Sequence, residues 1–217
     1  MDKLIEFNSL LVGKNKVVNL TAHKTIEQSL LYNIEDSILF NTDIEAYISK
    51  GKIADIGSGG GAPAIPLAIS FPNARFTLID SVNKKVSFLN EAAAYLNLKN
   101  MKAIHTRIED FASKNREGFD AVTARAVSHL STLIEYSIPL LKHGGVLLAF
   151  KGARYEEEIA EAKNAMRELN CAVIDVLAKE LETPEGKLER KIVVIKKLGK
   201  TAPKYPRGKN LPRTNPL

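Results

Sequence analysis

The sequence predicts an α/β fold in which a mainly parallel, seven-stranded sheet ends in an antiparallel hairpin and is preceded by a short helical segment. Three observations carry that expectation. Five short β-rich runs alternate with longer stretches of helical spacing, the pattern of a sheet covered on both faces. Two further β-leaning runs at the end have no helix between them. They are joined by Thr183-Pro184-Glu185-Gly186, whose turn chemistry makes them antiparallel. Finally, the apolar run Ile53-Ala54-Asp55-Ile56 leads straight into Gly57-Ser58-Gly59-Gly60-Gly61-Ala62 and a helix opening at Pro63. That strand, glycine turn and helix is the first unit of a doubly wound, Rossmann-like sheet.

Element by element, residues 1–50 form the front segment, with helical spacing over Leu4 to Leu11 and Ile26 to Phe40. Residues 51–197 form the sheet domain. Its strands are expected at Lys52 to Gly57, Arg75 to Asp80, Met101 to Thr106, Phe119 to Ala124 and Gly145 to Lys151. Helices fill the gaps at Pro63 to Ser70, Asn83 to Leu96, Arg107 to Asn115, Ser128 to Lys142 and Tyr155 to Leu169. The hairpin strands are Cys171 to Leu181 and Arg190 to Lys197, and residues 198–217 form a tail.

Composition bounds the function. A chain of 217 residues, 45% hydrophobic, buries roughly 70% of its unfolded surface and needs neither disulfide nor metal to hold a core. Its one cysteine offers no internal disulfide. The longest apolar runs, such as Gly145 to Phe150, fall far below the roughly 18 residues of a membrane span, and the start MDKLIEFNSL lacks a signal peptide's basic and apolar regions. A cytoplasmic monomer with no membrane partner is expected. Of the net charge of +6, seven cations lie from Lys196 onward with no carboxylate among them, which leaves the body with one net negative charge. The same segment carries Pro203, Pro206, Pro212 and Pro216, which favour an extended arm. Such an arm suits RNA phosphates, with Lys204, Arg207, Lys209 and Arg213 as contacts, and its composition equally describes a solvated terminus.

The chemistry begins at the glycines, which let backbone turn sharply and approach a ligand where a Cβ would collide. Asp80 closes the second strand, where a carboxylate accepts hydrogen bonds from the ribose hydroxyls of an adenosine. Gly57, Gly59 and Ala62 formally satisfy the dinucleotide fingerprint as well. Asp55 separates the two cofactors, because a pyrophosphate gains nothing from an anion beside it. The ammonium and sulfonium of S-adenosylmethionine are attracted by one. A Tyr-x-x-x-Lys pair at Tyr95 and Lys99 lies at a helix end away from the strand ends and is not read as hydride-transfer apparatus.

In combination the motifs resemble the bacterial family of 16S ribosomal RNA guanine-N7 methyltransferases known as RsmG or GidB. The resemblance runs through Asn15-Lys16-Val17-Val18-Asn19-Leu20-Thr21, Asp55-Ile56-Gly57-Ser58-Gly59, Asp80-Ser81-Val82-Asn83-Lys84-Lys85, Thr123-Ala124-Arg125-Ala126, Lys151-Gly152 and Lys204-Tyr205-Pro206-Arg207, nearly the whole chain. The glycine loop alone points only to a large superfamily; the Asn-Leu-Thr segment, the Arg-Ala pair and the Lys-Tyr-Pro-Arg tail are specific. The resemblance implies a class I S-adenosylmethionine-dependent methyltransferase acting on guanosine 527, in conventional numbering, of small-subunit RNA. It also implies cofactor contacts from Gly57 through Ala62, from Ile108 and Glu109 beside the adenine, and from Arg125 nearest the transferred methyl. The chain departs from the family's pattern at Asn33, where histidine is usual, at Ala62, where a bulkier apolar residue is common, and in its short segment before Asn15.

Absences narrow the target. No Asp/Asn-Pro-Pro-aromatic motif follows strand four, which argues against exocyclic amine methylation. The only cysteine, Cys171, opens a strand at the far edge of the sheet and is not placed for a C5-pyrimidine nucleophile. Guanine N7 has an exposed lone pair, so in-line attack needs no general base, and none is assigned. Arg125 and Lys151 are expected to position the base or its phosphates, with Arg125 kept from N7 itself because a cation opposes the charge the purine gains. His23, His105, His129 and His143 lack metal-ligand spacing, and no metal is expected. Two alternatives remain open at this point: a small-molecule methyltransferase, which would tolerate loss of the tail, and a non-catalytic ribosomal RNA-binding assembly factor.

Overall fold

The structure, a computed structural model, describes residues 2–217. One mixed sheet of seven strands runs through it in the order β3-β2-β1-β4-β5-β7-β6. The strands are β1 (Gly51–Ile56), β2 (Ala74–Asp80), β3 (Met101–His105), β4 (Phe119–Arg125), β5 (Leu141–Lys151), β6 (Cys171–Thr183) and β7 (Gly186–Lys197). The first five are parallel, and β7 is antiparallel to both β5 and β6. The helices are α1 (Asp2–Asn15), α2 (Ile26–Ser29), α3 (Asp36–Ile38), α4 (Asn41–Ile48), α5 (Ala64–Ser70), α6 (Asn83–Tyr95), α7 (Ile108–Lys114), α8 (Leu130–Ser137), α9 (Tyr155–Glu161), α10 (Lys163–Glu168) and α11 (Leu211–Thr214). β1 changes neighbours between β2 and β4, so the chain's connections diverge there and leave a crevice at the strands' carboxyl ends.

Alternation along the central strands explains the two layers. On β5, Val146, Leu148 and Phe150 point to one face while Leu147 and Ala149 point to the other, and on β7 Ile192 and Val194 oppose Val193 and Ile195 in the same way. The first face is covered by α5, α6 and the front segment, whose Phe7, Leu11, Ile34, Phe40, Ile44 and Ile48 are all buried against the sheet. Front-segment residues from Leu4 to Ile48 therefore belong to the same apolar cluster as the sheet. The second face carries α8 to α10, with Leu133, Ile134, Ala165 and Leu169 buried.

Several expected boundaries move. The helix expected to reach Lys142 stops at Ser137, passes through a 3-10 turn at Ile138–Leu140 and becomes β5 at Leu141. Pro139 lacks the donor that would continue the α-helix. The helix expected over Tyr155 to Leu169 breaks at Ala162 into α9 and α10, and the one over Ile26 to Phe40 contains a π-helical turn at Leu30–Glu35. The hairpin is longer than expected, with β6 and β7 joined by Pro184 and Glu185 alone. The largest correction concerns residues 198–217, which fold back onto the body. Arg116 donates to the carbonyls of Thr201, Ala202 and Tyr205, Thr132 Oγ1 donates to Pro212 O at 2.8 Å, and Tyr205 is buried. The segment is otherwise irregular, but Pro212 sits in the first turn of the short helix α11, where its missing donor costs nothing, so the expectation of no helix is corrected there; free backbone carbonyls find donors on the body instead of water.

Candidate active site

The glycine turn after β1 is held from both sides. Gly57 N and Ser58 N donate to Ile79 O at 2.8 and 3.1 Å, Ser58 Oγ accepts from Ile79 N at 3.1 Å, and Gly59 N donates to Asp80 Oδ2 at 2.8 Å. Gly57 and Gly59 have φ of +68° and +53°, where a side chain is strained. Asp80 Oδ1 accepts from Val82 N at 2.8 Å, so the carboxylate expected to face a ribose also ties the β1 and β2 turns together. A carboxylate has about four lone-pair sites, so those two bonds leave it able to accept from a ligand.

Above this turn lies a cleft of about 240 Å³ lined by Gly57, Gly59, Gly60, Ala62, Leu20 and Arg125 among others. A larger cavity of about 660 Å³ adjoins it past the ends of β4 and β5, and Thr21, Asn33, Arg125 and Ala126 belong to both walls. Asp55 lines neither. It is buried on β1, accepts from Thr123 Oγ1 at 2.6 Å, and is pushed up to about 6 by loss of solvation, against which the Thr123 hydrogen bond and Arg125 act. Its influence on a ligand is therefore through the field and not by contact.

Arg125 sits where cleft and cavity meet. Its Nη1 donates to Tyr32 O at 3.3 Å and lies 3.5 Å from Asp36 Oδ2, while Arg190 Nε bonds Asp36 Oδ1 at 2.9 Å. Burial lowers the pKa of Arg125, and Asp36 and Asp55 oppose that. One carboxylate between two guanidiniums leaves a net positive wall that is still partly neutralised. Beside it, the rings of His23 and Tyr32 stack with centroids 4.6 Å apart and planes 21° apart, lining the same cavity. Burial and the nearby Arg125 lower the pKa of His23, keeping the imidazole neutral at pH 7.

Lys151 lines the cavity, but its ammonium is engaged by Glu158 Oε2 at 2.6 Å and Ser128 O at 2.9 Å. Glu158 Oε2 also accepts from Leu130 N at 2.8 Å, at the start of α8. In the structure Lys151 thus braces the segment from Ser128 to Leu130 through Glu158. Glu109 is buried and accepts from Asn210 N of the tail at 3.2 Å, with Ile108 half-buried beside it. Among the tail cations, Arg207 is fixed to Glu135 and Lys204 lies 3.7 Å from Glu168, whereas Lys209 and Arg213 are exposed and have no acidic partner among the described residues. Cys171 is buried, its thiol pushed up to about 12 by burial, which removes it as a nucleophile.

Tyr32, Asp36, His23 and Arg190 were not legible as site residues. A signal existed: Ser29, Asn33 and Ser37 repeat at helical spacing inside an apolar segment and are all buried. Asn33 Nδ2 donates to Ser29 Oγ and Thr21 Oγ1 at 3.0 and 3.1 Å, so the polar stripe binds the Asn-Leu-Thr segment to the π-helical turn that presents Tyr32. π-turns concentrate at functional sites for this reason: they re-aim side chains.

The fold resembles that of several solved proteins. It matches a SAM-dependent methyltransferase from Methanosarcina mazei with a TM-score of 0.56 at 18% identity, covering 73% of this chain and 98% of that one. M. jannaschii TYW2, solved in complex with AdoMet, gives 0.56 at 17% identity over 75% and 77% of the two chains. In sequence, the chain is 42% identical over 213 residues to the ribosomal RNA small subunit methyltransferase G of Lactococcus lactis subsp. lactis, covering 96% of this chain and 87% of the relative. It is 39% identical over 214 residues to the protein of the same name from Staphylococcus saprophyticus, covering 97% and 87%. The family described as GidB, rRNA small subunit methyltransferase G, matches residues 1–193. On a match of that extent, with relatives at such identity along almost the whole chain, this protein belongs to the GidB family.

Proposed function

We propose that the protein transfers a methyl group from S-adenosylmethionine to N7 of a guanine in 16S ribosomal RNA, the guanine being that at position 527 in conventional numbering. The observation that carries this reading is the single wall, Arg125 with Thr21, Asn33 and Ala126, shared by a glycine-lined cleft and an aromatic, net-basic cavity. A cofactor in the first and a nucleobase in the second meet at Arg125. The relatives' shared name supplies the class of RNA.

The residues present fit the cofactor. A Cβ on Gly59 would meet nothing closer than Gly57 O at 3.8 Å, so the turn leaves open room on its ligand side, while Asp80 offers further acceptor capacity beside it. Asp55, behind the turn, supplies negative charge facing an ammonium and a sulfonium. Bound S-adenosylmethionine supplies an electrophilic methyl group on sulfur. The chain's own part is to hold the base: His23 and Tyr32 present a stacking face, and Arg125 is placed for guanine O6 or a phosphate. Both carboxylates lining the cavity, Asp36 and Glu158, are ion-paired, in keeping with a reaction that removes no proton from N7. The site works by orientation, which can supply roughly 7 to 11 kcal/mol of a barrier.

Mapping N7-methylguanosine in small-subunit RNA tests this, using RNA from cells lacking the gene, then treated with purified protein and S-adenosylmethionine. One modified guanine should be missing and then restored. Restoration at a different position, or none, overturns the reading.

A further inference from the structure

We propose that a basic groove at the amino-terminal ends of β1, β2 and β3, the end of the sheet away from the glycine turn, binds the phosphate backbone of the RNA substrate as a second contact surface. The proposal rests on the functional reading above for the identity of the RNA. The groove has a volume of about 920 Å³ and is lined by five cations, Lys52, Arg75, Lys99, Lys102 and Arg116, and by no carboxylate. Its floor is apolar, with Phe111 and Phe119 buried.

Sheet register explains how the charges come together. Lys52 lies directly opposite Arg75 on β1 and β2, and Lys102 lies opposite Thr77, two residues further along β2 on the face that Arg75 shares. Like charges directly opposite one another across strands destabilise a sheet, so folding gains nothing from the arrangement. Helix α7, only seven residues long, contributes Phe111 to the floor and leaves Lys52, Arg75 and Lys102 exposed. Lys52, Arg75, Lys99 and Lys102 have no acidic partner among the described residues. Arg116 bonds carbonyl oxygens of Thr201, Ala202 and Tyr205 and makes no ion pair, feeling the neighbouring Glu117 only at longer range. The neighbouring carboxylates Glu117 and Asp120 are paired with Lys197 and Lys142.

Charge complementarity therefore points to a polyanion. The five steps along the chain from Lys52 to Gly57 put the groove roughly 17 Å from the turn. β3 is the sheet's edge strand, so the groove lies at the margin of the sheet. A structured RNA can thus touch groove and cavity together, whereas a few nucleotides around the target base cannot.

The test replaces Lys52, Arg75, Lys99 and Lys102 together with alanine, and compares a control lacking Lys3, Lys163, Arg167 and Lys187, four exposed cations elsewhere. Binding to a folded 16S RNA domain is measured as a function of salt, with S-adenosylmethionine binding measured in parallel. The groove variant should lose about tenfold or more in RNA affinity and reduce the slope of log K against log salt by about 3, while the control loses much less and cofactor binding is unchanged in both. Should the quadruple variant fail to fold, Lys99→Glu with Lys102→Glu, both exposed, reads the same loss. An unchanged affinity and slope in the groove variant overturns the proposal and leaves the methyltransferase reading standing. If the unaltered protein binds cofactor but methylates no small-subunit RNA, the functional reading fails instead, and the salt slopes still decide whether the groove binds RNA.

Discussion

Thr123 and Asp55 are register partners on adjacent parallel strands, and the Thr123 hydroxyl donates to Asp55 Oδ1 at 2.6 Å. The Thr123 and Ser58 hydroxyls and the Arg125 charge offset only part of the cost of a carboxylate with no access to water, which is why its pKa is pushed up to about 6 from 3.8. The folded state consequently binds more protons than the unfolded chain between about pH 4 and pH 6. Asp55 therefore costs stability increasingly as pH rises through that window, and in full above it, by about 3 kcal/mol. Asp55→Asn should raise the melting temperature of the ligand-free protein by several degrees at pH 8, with the advantage vanishing near pH 4. The same variant should bind S-adenosylmethionine more weakly, and the unaltered protein's affinity should fall as pH drops below about 6. Thermal unfolding and calorimetric titration across pH check both; a variant that is less stable at pH 8 would contradict the assignment.

A second buried carboxylate holds the tail. Glu135 is fully buried in α8 and takes Arg207 Nε at 2.9 Å, Arg207 Nη2 at 2.7 Å and the Arg207 backbone amide at 2.8 Å. Arg207→Ala leaves that charge stranded and should cost about 3 kcal/mol or more. Adding Glu135→Gln should recover a large part of it. Urea unfolding of the single and double variants measures the coupling. Lys209→Ala with Arg213→Ala, by contrast, should leave stability within about 0.5 kcal/mol and lower the salt sensitivity of RNA binding.

The sheet was legible because its signals are local. Alternation of β-rich and helical runs, glycines directly after an apolar strand, and a Pro-Glu-Gly turn each depend on residues close in sequence. The tail was not, because its three prolines before Arg213 state what the backbone cannot form, while the partners Arg116, Thr132 and Glu135 lie about 70 to 90 residues away. The site divides the same way. Gly57, Gly59, Asp80 and Arg125 announce themselves by position after strands, whereas the Arg125, Asp36 and Arg190 arrangement joins three distant segments by charge alone. The pairing of Lys151 with Glu158, seven residues on across a turn into α9, had no signal in the sequence.

The stacked pair in the cavity makes a prediction about substrate. Tyr32 presents its ring beside His23 and donates its hydroxyl to Glu185 Oε2 at the hairpin turn, 3.2 Å away. Base stacking on an aromatic side chain contributes about 1 to 3 kcal/mol, so Tyr32→Ala should lower kcat/KM for RNA roughly 10- to 100-fold. Tyr32→Phe keeps the ring and should stay within a few-fold of the unaltered protein. Steady-state kinetics with 16S RNA distinguish the two, and equal losses in both would assign the role to the hydroxyl and its hairpin contact.

The glycine turn allows packing to be separated from ligand approach. A Cβ on Gly60 would stand 2.8 Å from the Leu20 carbonyl oxygen, in a segment whose Leu20 and Thr21 amides are held by Asn15 Oδ1 at 2.8 and 3.1 Å. Backbone clamped in that manner cannot yield cheaply, so Gly60→Ala should destabilise the fold by about 1 to 3 kcal/mol through overpacking. Gly59 is different: its Cβ meets no atom within 3.4 Å, and the strain comes from its φ of +53°, which costs about 1 to 2 kcal/mol for alanine. Because that Cβ points into the room above the turn, Gly59→Ala should abolish most S-adenosylmethionine binding while lowering stability less than Gly60→Ala does. Denaturant unfolding paired with cofactor titration resolves the pair; strong cofactor binding by Gly59→Ala would place the cofactor away from the turn.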